Sequence, residues 1–176
     1  MIPSIRFLLA AALLPAALAQ SATPAFTTLL PREVNPLHYD IEISPDPKGM
    51  TFEARALIDI QVTRPVRRIT LNAAELEIRE ARVDEERART EVGERSQTAT
   101  FVLSRPLTAG RHRLSIDYAG RISTQPSGLF ALDYTQEGAP KRALFTQFEP
   151  ADARRVFPGW DEPARKASFT LHLVTH

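Results

Sequence analysis

No cysteine occurs among the 176 residues, which excludes disulfides, thiolate metal sites, a cysteine nucleophile and a lipoprotein anchor on this chain. That absence leaves the compartment open, because many exported proteins of bacterial type lack cysteine. Net charge is also nearly absent, since 22 basic and 21 acidic residues leave a formal +1. So neutral a balance gives no electrostatic case for nucleic acid or for an anionic membrane surface. No apolar run reaches the roughly twenty residues of a membrane-crossing helix. A Gly-x-Ser-x-Gly elbow, a glycine-rich phosphate loop, internal repeats and low-complexity tracts are all missing, which removes the usual local signatures of serine hydrolases and nucleotide sites.

The first twenty residues differ from the rest. Arg6 gives a short positive start, Phe7 to Leu18 is almost wholly apolar with Pro15 inside it, and Ala17-Leu18-Ala19 follows. Positive start, apolar stretch and small residues before a cut are the layout of a secretory signal peptide. Residues 1–19 are therefore expected to be a leader cleaved before Gln20, with the chain exported to a periplasm or the outside. Its loss removes Arg6 alone and leaves 21 basic against 21 acidic residues. No membrane attachment is expected after cleavage. Residues 20–29 read as a polar, flexible lead-in.

From Leu30 onward, period-two alternation dominates. Leu37, Tyr39, Ile41 and Ile43 alternate with polar neighbours, and Ser44-Pro45-Asp46-Pro47-Lys48-Gly49 supplies turn chemistry. Phe52, Ala54, Ala56, Ile58, Ile60 and Val62 form the longest alternating run. Shorter runs follow at Arg68 to Asn72, Leu76 to Val83, Thr98 to Leu103 and His112 to Tyr118. The charged stretch Asp84 to Gln97 reads as a solvated hairpin end. Helix is nearly absent, with Asp152 to Phe157 the best candidate for a short turn. The expectation is an all-β, saddle-like antiparallel β-sandwich with at most one or two helical turns.

Candidate chemistry is sparse. His38 and His112 sit inside strand patterns and read as structural or surface residues. His172 and His176 have the spacing of a zinc helix, but Leu173 stands where the general-base glutamate belongs. Phe169, Leu171 and Leu173 alternate with Thr170 and His172, so the segment reads as a strand, which would hold the two imidazoles about 13 Å apart. No metal site is expected. The neighbours Asp161 and Glu162 should point to opposite faces and so form no proton-sharing dyad. Gln147 and Glu149 share one face at a strand end. Together they fit either a grip on an ammonium group through charge-assisted hydrogen bonds or an ordinary surface polar pair, and the residues alone leave both open.

Phe145-Thr146-Gln147-Phe148-Glu149-Pro150 through Arg155, then Phe157-Pro158-Gly159-Trp160-Asp161-Glu162-Pro163-Ala164 with Lys166-Ala167-Ser168-Phe169, resembles the block closing the first domain of aminopeptidase N-like zinc metallopeptidases. Many animal members carry Cys-Phe where Gly159-Trp160 stands. Leu30-Pro31, Val34, Pro36, His38-Tyr39-Asp40, Ser44-Pro45-Asp46, Thr70-Leu71-Asn72-Ala73 with Leu76, and Gly120 and Gly128 extend the resemblance over 30–176. It implies a saddle-like β domain packed against a thermolysin-like catalytic domain. It also implies that Glu149 helps bind the α-amino group of a peptide substrate and that Gln147 lines the pocket for the first side chain. Only a chain end offers such an ammonium, so an anchor there explains exopeptidase action and fixes the distance to the first peptide bond. Arg154 and Arg155 are expected to be structural ion-pair partners, and Phe157 and Trp160 to be core.

Family members hold zinc with His-Glu-x-x-His and a later glutamate, add a tyrosine for the transition state, and carry a Gly-x-Met-x-Asn strand. None of these occurs in the 176 residues. The resemblance thus implies zinc in full-length relatives, no cofactor and no catalytic residue on this chain, and a truncated polypeptide inactive alone. Its expected partners are a peptide N-terminus and a missing catalytic domain. The competing expectation is a stand-alone, non-catalytic secreted β module for binding or assembly.

Overall fold

The computed structural model describes residues 29–175; the expected signal peptide and nearly all of the lead-in lie outside them. Eleven strands follow one another: β1 (Val34–Asp46), β2 (Thr51–Val62), β3 (Val66–Asn72), β4 (Glu77–Val83), β5 (Glu86–Arg87) and β6 (Arg89–Gly93). Then come β7 (Thr98–Leu107), β8 (Gly110–Arg121), β9 (Gly128–Gln136), β10 (Ala139–Gln147) and β11 (Ser168–Leu173), with a 3₁₀ turn at Ala153–Arg155 before the last strand. That turn falls within the stretch singled out as the best helical candidate. Among the described residues no helix is long and apolar enough to cross a membrane.

The strands make a six-stranded sheet ordered β11-β1-β2-β8-β4-β5, a three-stranded sheet β3-β7-β6, and a separate hairpin β9-β10. The alternation in the sequence sets what faces inward. Tyr39, Ile41 and Ile43 of β1, Ala56, Ile58, Ile60 and Val62 of β2, and Leu114, Ile116 and Tyr118 of β8 are all buried. They share one apolar cluster with Ile69, Leu71, Ala99, Phe101 and Leu103 from the three-stranded sheet. This is a sandwich of two sheets around one core.

Two details depart from expectation. The sandwich is mixed rather than purely antiparallel, because β11 pairs with β1 in parallel, His38 opposite Ser168 through Ile43 opposite Leu173. The long connection after β10 carries the chain back to the starting end of β1, as a parallel pairing requires. The charged stretch at 84–97 also contains β5 and β6, and β6 completes the three-stranded sheet against β7. Backbone pairing and the small buried Ala88 suffice there, so large apolar residues are not needed.

Candidate functional site

The connection from β10 to β11, residues 148–167, is where the sequence block and the geometry meet. Asn72, at the end of β3, anchors it. Its backbone exchanges hydrogen bonds with Gly159 at 2.8 and 3.0 Å, and its buried side-chain Oδ1 accepts from the Asp161 N–H at 3.1 Å. Tyr39 adds a second tie, its hydroxyl oxygen accepting from the Trp160 N–H at 3.1 Å. Burial pushes the Tyr39 phenol up to about 12, so it stays neutral. Gly159 fits closely beneath it, since an added Cβ would lie 3.2 Å from the Tyr39 hydroxyl.

Ion pairs fix the rest of the segment. Arg154 donates to Asp161 at 2.8 Å, Arg155 binds Asp152 at 2.8 Å and also Glu75, and Arg165 lies 3.6 Å from Glu162. Arg154 and Arg155 are thus the ion-pair partners expected of them. Asp161 and Glu162 lie outside any strand and pair with different arginines, and Glu162 also accepts from the Leu30 N–H at 2.6 Å. Trp160 is buried and Phe157 packs against the core.

Between this segment and the β1–β11 edge lies a cleft of about 610 Å³, lined by Tyr39, Ile41, Phe148, Glu149, Trp160 and Phe169 among others. Glu149 stands on its rim. Every other carboxylate of the segment is paired with an arginine, whereas the Glu149 side chain has no ion-pair or hydrogen-bond partner among the described residues. Gln147 ends β10 and is exposed, and its Nε2 points to the Glu149 carbonyl oxygen at 3.5 Å. It is not among the residues lining the cleft. The structure therefore brings Gln147 and Glu149 together at the strand end, with Glu149 alone bordering the cavity.

The histidines take ordinary places. His38 Nδ1 lies 2.8 Å from Ser168 Oγ, His112 Nδ1 lies 2.8 Å from Asp84, and exposed His172 lies 3.1 Å from Asp40. His176 is outside the described residues. Among those residues no group of three or more His, Asp or Glu is placed to hold a metal.

Asn72 and Tyr39, which hold the segment, were not marked out by chemistry in the sequence. Their only signal was membership of the blocks Thr70-Leu71-Asn72-Ala73 and His38-Tyr39-Asp40. Another unassigned feature is the indole Nε1 of Trp160, which is buried at the cleft without a hydrogen-bond partner among the described residues.

The chain is 38% identical over 149 residues to aminopeptidase 2 of Candida albicans, covering 83% of this chain and 16% of the relative. It is 41% identical over 147 residues to an aminopeptidase N of Acetobacter pasteurianus, covering 82% and 41%. With aminopeptidase M1 of Arabidopsis thaliana it shares 33% over 153 residues, covering 82% and 17%. The chain thus spans about a sixth to two fifths of the length of these relatives. Residues 35–176 match the peptidase M1 N-terminal domain, and this chain belongs to that family.

Proposed function

We propose that this domain serves a zinc metalloaminopeptidase by presenting Glu149, assisted by Gln147, to the free α-amino group of a peptide substrate. The observation that carries the proposal is the unpaired Glu149 carboxylate on the rim of the cleft, in a segment whose other carboxylates are all neutralised. A carboxylate left without an arginine, beside an apolar cavity, suits a cation that arrives with an apolar side chain attached. Gln147 contributes an amide at the same strand end. Zinc and the groups that activate water would be supplied by a catalytic domain outside residues 29–175, of the kind the longer relatives have room for.

The test replaces the matching segment of the Candida relative with residues 30–175 and measures release of N-terminal residues. Glu149→Ala should raise KM on the order of 10- to 100-fold, the equivalent of one charge-assisted hydrogen bond. Gln147→Ala should raise it less. An unchanged KM in Glu149→Ala would overturn the proposal.

A further inference from the structure

We propose that Phe148 is a positioning residue for Glu149, tying the strand end that carries it to the β1–β11 sheet through a ladder of aromatic rings; this rests on the reading of Glu149 as the amine anchor. No described residue grips the Glu149 side chain by a hydrogen bond or ion pair, so its placement depends on its neighbours. The Phe148 ring meets Phe157 edge-on, with centroids 6.0 Å apart at 82°. Phe157 in turn meets Tyr39 and Phe169, each at 5.9 Å and 63°. Tyr39 and Phe169 are register partners on β1 and β11 and stack at 4.5 Å with planes 2° apart. Edge-to-face and offset ring pairs have preferred geometry as well as buried area, so a ladder of them resists sliding. The Phe148 carbonyl oxygen also accepts from the Asp152 N–H at 2.7 Å, which closes the turn behind Glu149. Phe148 is therefore the side chain through which residues 147–149 bear on the sheet. An anchor displaced by about 1 Å misplaces the peptide bond and can cost on the order of 100-fold in rate.

The experiment has two arms. In the 176-residue chain, NMR order parameters should place the Glu149 amide near the rigid value of about 0.85 in the wild type and below about 0.6 in Phe148→Ala. Phe148→Leu should recover most of the loss, and β2 and β8 should not change. In the segment-swapped enzyme, Phe148→Ala should raise KM about tenfold through the weakened amine contact, and this rise should vanish when Glu149 is already alanine. A rigid Glu149 amide in Phe148→Ala, or the same KM rise with and without the Glu149 carboxylate, would overturn the inference. If Glu149→Ala alone leaves KM unchanged, the amine-anchor reading fails, and the order parameters still decide whether Phe148 holds the segment.

Discussion

Asn72 is the buried polar side chain on which the β10–β11 connection hangs. Its Oδ1 accepts the Asp161 N–H, and Asp161 in turn binds Arg154, whose own carbonyl oxygen accepts from the Ala74 N–H at 2.9 Å. Removing the amide strands a half-buried donor and loosens the ion pair beside it. Asn72→Ala should cost about 1–3 kcal/mol, read as a lower urea midpoint at unchanged m-value. A midpoint equal to wild type would mean that Asn72 only fills space. Glu149 is the opposite case at this scale. Its side chain makes no hydrogen bond or ion pair among the described residues, so Glu149→Ala should leave the same midpoint unmoved, which separates a binding role from a structural one.

At the scale of elements, the solvent face of the six-stranded sheet is laced by cross-strand ion pairs. Arg79 holds the Glu53 carboxyl below its ordinary range, Arg113 does the same for Asp59, and Arg142 for Asp133 across the β9–β10 hairpin. For Asp84 burial pushes upward, but the His112 hydrogen bond and the Arg113 N–H outweigh it and the net shift is down. A carboxyl lowered in the folded state stabilises above its unfolded value and loses that contribution as pH falls through the folded one. The thermal midpoint should therefore hold steady near neutrality and fall below about pH 4, less steeply in high salt, which screens exposed pairs. A midpoint that rose on acidification would contradict these assignments.

Strand β11 shows where alternation stops informing. Phe169, Leu171 and Leu173 read as one face of a strand, and they do lie in register with the buried Tyr39, Ile41 and Ile43. Yet they remain 56%, 66% and 63% exposed at the open edge of the sheet. Period two fixes which side chains share a face and says nothing about whether a second layer covers that face. Such an edge is an association surface. The purified chain should form dimers or larger species as concentration rises, measured by light scattering after size exclusion, and Leu171→Thr with Leu173→Thr should shift it toward monomer. A strict monomer at all concentrations would contradict this.

For the whole molecule, the sandwich was legible because apolar residues at every second position and Pro-Gly turns determine strands locally. Thus Phe52 to Val62 reads directly as β2 and its buried face. The parallel return of β11 was not legible, since strand direction depends on where a twenty-residue connection lands. The amine-anchor assignment of Glu149 came from the resemblance of its block. The structure adds that this carboxylate has no ion-pair partner among the described residues, while Asp152, Asp161 and Glu162 are all engaged. Gln147 was legible as its neighbour but not as standing off the cleft, because a side chain's reach is set by the turn after Phe148.

The central claim is that Glu149 recognises a free α-amino group. Its most direct test compares inhibition of the segment-swapped enzyme by leucinamide and by 4-methylpentanamide, which differ only in that amine. The account predicts that leucinamide binds at least about tenfold more tightly and that Glu149→Ala abolishes most of the difference. An amine preference that survives intact in Glu149→Ala would contradict it.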